Sequence, residues 1–212
     1  MQNLEKIINW ANSLENIKIL ILSGSLAAKG KKDELSDYDI AVYGTDFNFI
    51  ENDDWLKNIQ EYWVCIHDQF LFSGYDIPTR LTIFNAYFKV DFSFHPMDLL
   101  HKMINSKTLP DDYNIGYKVL LDKENITNKL LKPTYTGFIL SKPNKEKFQE
   151  NIKEFWFESY HVAKYLYRND LWTAKMRDWS TKELLRQMLE WNEACKQTKY
   201  FSPKNHGKEM KS

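Results

Sequence analysis

Cysteine is scarce in this sequence: Cys65 and Cys195 are the two thiols in 212 residues. They lie far apart, without the close spacing of a redox or metal-binding motif, and two thiols do not make the disulfide framework of a secreted domain. A reducing cytoplasm is the expected setting. Charge of one sign is lacking too, since 29 Lys and Arg balance 29 Asp and Glu. No global positive field would hold nucleic acid or an anionic membrane, so neither is an expected partner and charged ligands must be recognised locally. Long apolar runs are absent as well. The longest aliphatic stretch, residues 17–22, contains Lys18 and is too short to span a bilayer. The first residues carry Glu5 and Glu15 among helix-spaced apolar positions, unlike a signal peptide, so no membrane anchor is expected. Repeats and low-complexity tracts are missing.

What is present is enough for a packed core, with 43% hydrophobic and 15% aromatic residues. Leu4, Ile7, Ile8, Ala11 and Leu14 recur at helical spacing, which predicts an amphipathic helix over 3–14. Strands are expected at 17–22, 38–43 and 62–67. Residues 79–86 and 87–94 read as two more strands joined by a tight hairpin at Asn85 and Ala86. Helices are expected at 53–60 and 97–105, and the acids between Glu51 and Asp54 suit a helix N-terminus.

The character changes after Pro133. Ile152, Phe155, Trp156, Ser159, Val162, Ala163 and Leu166 form a helical stripe. Ser180 and Glu183 are spaced as a capping box ahead of a second helix carrying Leu184, Leu185, Met188 and Trp191. The chain therefore divides into a sheet-containing domain over 1–142 and a helical one over 143–212, an α+β organisation.

The chemistry concentrates in the stretch LSGSLAAKGKKDELSDYDIAVY, residues 22–43. On a strand, Asp37 and Asp39 share a face with Cα atoms about 6.5 Å apart. Further on, Tyr87, Lys89, Asp91 and Ser93 alternate with Phe88, Val90, Phe92 and Phe94. The apolar set must face the core, which leaves Asp91 on the open face. If the two strands are neighbours, three carboxylates converge without an intrinsic counter-charge, and such a set suits a hard cation such as Mg²⁺. An isolated D-x-D is more simply a solvated strand edge. Here Gly24 and Ser25 end the preceding strand, where glycine lets backbone N–H groups approach a phosphate and serine adds a hydroxyl donor.

"GS" followed by "DYD" on the next strand and by "KVDFSF" resembles the active-site signature of nucleotidyltransferases with the DNA polymerase beta type of fold. The segment EFWFESYHVAKYLYRNDLWTAKMRDWSTKELLRQMLEWN resembles the helical region of one branch, the aminoglycoside 6-adenylyltransferases, also called streptomycin adenylyltransferases. The resemblance implies ATP as co-substrate and an aminoglycoside as acceptor. It also implies two Mg²⁺ ions held by Asp37, Asp39 and Asp91, and a phosphate-holding turn at Gly24 and Ser25. Asp91 is further a candidate for taking the acceptor's hydroxyl proton. Lys164 and Lys175 are candidates for the triphosphate, against the simpler reading of solvated helix lysines. Glu154 and Glu158, four apart on one helix face, are candidates for binding acceptor amines, since like charges there disfavour the helix unless a cation sits between them. Trp156 and Trp172 offer stacking surfaces, although tryptophans at such positions more often belong to the core. His161 is more simply solvated.

Two departures matter. Leu26 stands where relatives usually carry an arginine, so a phosphate contact is either lost or taken over by Lys29, Lys31 or Lys32. The enzymes it resembles continue through further helices, which leaves open a fragment, a shortened relative or another acceptor. Beside the aminoglycoside enzyme stand two further readings: a nucleotidyltransferase with another small-molecule or protein acceptor, and a nucleotide-binding module without turnover.

Overall fold

The strand Ile17–Ser23 (β1) is nearly all aliphatic because both its edges are paired and both its faces are covered. In a computed structural model that describes residues 2–29, 33, 35–85, 88–136 and 142–196, it follows helix α1 (Gln2–Ser13) and runs into a single turn, α2 (Gly24–Ala27). Strand β2 (Tyr38–Gly44) comes next, then a long hairpin of β3 (Tyr62–Phe72) and β4 (Tyr75–Phe84). β5 (Lys89–Pro96), α3 (Met97–Asn105), α4 (Asp111–Asn114) and β6 (Lys118–Asp122) complete the sheet region. The strand order is β3-β4-β5-β2-β1-β6. Only β2 and β5 pair in parallel, which makes the sheet mixed and the fold α+β.

Each face has its own core. One buries Ile7, Trp10 and Ala11 of α1 against Val42, Phe92 and Phe94, with Trp55 stacked 4.8 Å from Trp10. The other packs Leu99, Leu100 and Met103 of α3 against Ile19, Ile21 and Tyr43. Thus the face expected to be open is covered where α3 packs on it, and Asp39 and Asp91 are left half-buried beyond that cover.

The chain folds as two compact units, Met1–Thr136 and Gly137–Ser212, whereas the sequence places its boundary between 142 and 143. In the second unit α5 (Lys145–Tyr167) and α6 (Leu171–Lys196) form an antiparallel hairpin. Asn144 caps α5 by accepting from the Lys147 N–H at 2.8 Å. Asn169 closes it in the left-handed region, at φ +57°.

Several expectations give way here. The second helix does not start at Ser180: α6 begins at Leu171, where the Asp170 carboxylate accepts from the Thr173 N–H at 3.2 Å. Ser180 lies mid-helix and donates back to the Met176 carbonyl at 3.3 Å, so the Ser180 and Glu183 spacing mimics a cap without making one. Residues 53–60 are not an α-helix; the segment makes a 3-10 turn, Asp54–Asn58, the second after Asn48–Glu51. The β3–β4 hairpin extends further than expected because Ser73 and Gly74, at φ +50° and +83°, form the kind of tight turn that matches strand twist. Ala86 and Tyr87, in the hairpin that the sequence does predict, lie outside the described residues, but Phe84 N–H donates to the Phe88 carbonyl at 3.0 Å across it.

Candidate active site

Gly24 begins the site. Its φ of +65° turns the chain sharply out of β1, a conformation that a Cβ disfavours. The space matters more than the angle: a Cβ at Gly24 would lie 1.8 Å from Oδ2 of Asp39 and 2.6 Å from its Cγ. The Asp39 carboxylate therefore packs directly on the glycine backbone. Ser25 follows, exposed in the first turn of α2, while Leu26 is half-buried against the α1 core. An apolar residue at that position docks inward instead of offering a charge. Lys29 lies over the Tyr135 ring at 4.0 Å, and Lys31 and Lys32 lie outside the described residues.

The parallel pairing of β2 and β5 sets Asp39 opposite Asp91, and β1 sets Ser23 opposite Asp39 on the other side. Paired residues share a face, so the two carboxylates project together. Asp37 sits immediately before β2. The expectation of acids without a counter-charge is corrected here. The Lys89 ammonium donates to Oδ2 of Asp37 and to Oδ2 of Asp91, each at 2.8 Å. Burial pulls the Lys89 pKa down, but hydrogen bonds and charge from both aspartates outweigh it and hold the group above the ordinary lysine value. The signal was in the sequence: in K-x-D, alternation puts lysine and aspartate on one face.

The second oxygen of Asp91, Oδ1, is buried and has no hydrogen-bond partner among the described residues. A carboxylate oxygen withdrawn from water without a partner is costly, so the position is explained best by a ligand that completes it. Three carboxylates with one unused oxygen are a hard-donor set of the kind Mg²⁺ takes, which makes the residues fit the ion that the resemblance implies.

Further along β5, His95 is missed by the sequence reading altogether. It stacks on Tyr43 at 4.9 Å between ring centroids, and its Nε2 lies 2.8 Å from the Ser93 hydroxyl. Burial pushes its pKa down to about 4.

The other candidates belong to the second unit. Glu158 is ion-paired with Arg177 at 2.9 Å across the helix hairpin, so the cation that should offset its neighbour Glu154 is supplied by the chain itself. Glu154 is exposed. Lys164 lies 5.8 Å from the Tyr165 ring and Lys175 5.9 Å from the Trp172 ring. Trp156 and Trp172 are 67% and 81% exposed and so are not core residues of a two-helix hairpin, which can bury only one stripe per helix. His161 Nδ1 lies 2.8 Å from the Phe157 carbonyl, which ties the ring to its own helix.

A family model described as Streptomycin adenylyltransferase matches residues 1–212. The chain belongs to that family. An aminoglycoside 6-adenylyltransferase of Campylobacter jejuni is 30% identical over 97% of this chain and 71% of its own length. One of Staphylococcus aureus is 27% identical over 89% and 67%, and one of Bacillus subtilis (strain 168) is 29% identical over 98% and 74%. The family is one of nucleotidyltransferase enzymes. Among solved structures, an aminoglycoside 6-adenyltransferase from Bacillus subtilis covers 100% of this chain and 74% of its own at 23% identity. The TM-score between the two is 0.42. Among the described residues no helix is long and apolar enough to cross a membrane.

Proposed function

We propose that this chain is a Mg²⁺-dependent adenylyltransferase that moves AMP from ATP to a hydroxyl of an aminoglycoside of the streptomycin class and thereby confers resistance to it. The observation that carries the reading is the register of Asp39 against Asp91 at the mouth of the Gly24 turn, with one Asp91 oxygen buried and partnerless among the described residues. Asp37, Asp39 and Asp91 would hold two Mg²⁺ ions. Bound there, magnesium supplies Lewis-acid stabilisation of charge on the phosphates.

The chain's own part is positioning. The Gly24 turn leaves backbone approachable to phosphate oxygens, and the exposed Ser25 hydroxyl is a further donor. Lys164 and Lys175 are candidate point charges for the triphosphate. Asp91 is also the candidate to accept the acceptor's hydroxyl proton as the O–P bond forms and pyrophosphate departs. Glu154 is the acid left to meet acceptor amines, because Glu158 already pairs with Arg177. That commitment favours a second reading, transfer to a less basic small molecule or to a protein side chain.

The deciding experiment is pyrophosphate release from Mg·ATP with streptomycin, comparing the wild type with Asp39→Asn. Release that requires streptomycin and vanishes in the variant supports the reading. Release that persists in Asp39→Asn refutes the carboxylate site, and release with other acceptors alone refutes the streptomycin assignment.

A further inference from the structure

On the opposite face of the sheet from Asp91, three side chains of different chemistry meet. Cys65 pairs with Thr82 and Thr82 with Val90, so all three face the α1 core, whereas Asp91 points the other way. His67 lies two residues along β3 and therefore on the same face as Cys65. Asp53 approaches from the segment between β2 and β3. It occupies the N-cap position of the second 3-10 turn but makes no side-chain cap hydrogen bond, and its carboxylate turns to the strand instead. The expected helix N-terminal role for this acid is thereby replaced.

The donor atoms are close enough to share one ion. His67 Nε2 lies 2.9 Å from Asp53 Oδ1, Cys65 Sγ lies 3.7 Å from the same oxygen, and all three donors fall within 4.8 Å of one another. A tetrahedral zinc with ordinary bond lengths holds its donors about 3.3–3.7 Å apart, so modest adjustment suffices. Groups behind the ligands are in place too. The Thr82 hydroxyl donates to Cys65 Sγ at 3.5 Å, as a thiolate ligand would require. Arg80, 7% exposed, is clamped by the carbonyls of Thr79 and Ile50 at 2.8 and 2.6 Å. Its Nε stands 3.7 Å from Asp53 Oδ1 and is without a hydrogen-bond partner among the described residues. His67 is half-exposed, which gives an ion an entry path and leaves room for a water ligand.

We propose that Asp53, Cys65 and His67 form a binding site for a zinc-class divalent ion, separate from the carboxylate site and clipping the 3-10 segment to the edge strand β3. Sulfur and imidazole donors select zinc or cobalt over magnesium, so magnesium does not fill this site. Burial, aided by the Asp53 charge, keeps the Cys65 thiol above its usual pKa despite Thr82 and Arg80. As the metal–sulfur bond forms, the thiol proton leaves to solvent and the sulfur lone pair goes to the metal.

The test uses the full chain, stripped with a chelator and titrated with Co²⁺. With excess Mg²⁺ present to occupy the carboxylate site, the expected result is one Co²⁺ per chain giving a thiolate-to-cobalt charge-transfer band in the near ultraviolet and the intense visible bands of a four-coordinate site. Zn²⁺ should abolish the bands and excess Mg²⁺ should not. The bands should vanish in Cys65→Ser and persist in Cys195→Ser. His67→Gln alters a half-exposed side chain and should fold; it should weaken cobalt binding by more than about tenfold. In the wild type alone, Zn²⁺ should raise the thermal midpoint. Absence of a thiolate band in the wild type, or unchanged affinity in His67→Gln, would overturn the proposal.

Discussion

Alanine at position 24 is the sharpest test of how the Gly24 turn serves Asp39. Two costs can be read separately from the structure. The backbone cost comes from φ +65°, a left-handed conformation worth about 1–2 kcal/mol for an L-residue. For a chain of this size that lowers the thermal midpoint by about 2–8 °C. The second cost is local: the new Cβ would lie 1.8 Å from Asp39 Oδ2, so the carboxylate must move by more than about 1 Å to regain ordinary contact. A displacement of that order at a reacting centre costs about 10²-fold in rate. Gly74→Ala is the matched control, since it has φ +83° and nothing within 4 Å of its Cβ position. Thermal melts and pyrophosphate release should therefore diverge: both variants lose similar stability, and only Gly24→Ala loses about two orders of magnitude in turnover. Turnover in Gly24→Ala within about threefold of Gly74→Ala would refute the reasoning.

Lys89→Met removes the ammonium between Asp37 and Asp91; metal-free protein should melt slightly lower, while Mn²⁺, titrated by calorimetry as a stand-in, should bind about 2–5-fold tighter. Weaker Mn²⁺ binding would show that the lysine assists the ion instead of standing in for it. His95 has a folded pKa of about 4 against about 6.5 unfolded, so the unfolded chain holds more protons between those values and stability falls as pH drops through them. About 3 kcal/mol should be lost by pH 4, and urea midpoints of His95→Phe, which keeps a ring on Tyr43, should show a flatter pH profile over that window. Arg177→Met should cost the second unit about 1 kcal/mol in thermal unfolding, with a coupling to Glu158→Gln in a double-mutant cycle; no coupling would mean the pair does not hold the hairpin.

Strand β5 was legible because it obeys period two, and β1 and β2 because they are short apolar runs. In KVDFSF the apolar positions are Val90, Phe92 and Phe94, all buried in the α1 core, and the polar set lies on the other side. The helix at Met97–Asn105 was legible from its own periodicity. What escaped the sequence was information that pairing supplies. β6 is short and mixed in polarity, and becomes a strand because β1 offers it a free edge. The hairpin turn at Ser73 and Gly74 carries a readable turn dipeptide, but the flanking residues of β3 are largely exposed and gave no apolar alternation to extend. Ser180 misled because local spacing cannot distinguish a cap from a mid-helix serine once Asp170 has already started the helix.

The two aspartates one residue apart raise the question of what holds them together before any ligand arrives. The structure's answer is that each carboxylate is held by a different neighbour. Asp39 is seated on a glycine with no side chain to displace it. Asp37 and Asp91 share Lys89, whose side chain is one-third exposed and carries its ammonium on a flexible stem. An exposed ion pair of this kind contributes only about 0–1 kcal/mol, little enough for a divalent cation to replace it. The Asp91 oxygen left without a partner among the described residues then sets the direction of the exchange, because the lysine reaches one oxygen of that carboxylate and leaves the other buried. A lysine satisfying both oxygens would stabilise the metal-free state more and oppose occupation. Having only one satisfied leaves a site that is tolerable empty and that a divalent cation would complete.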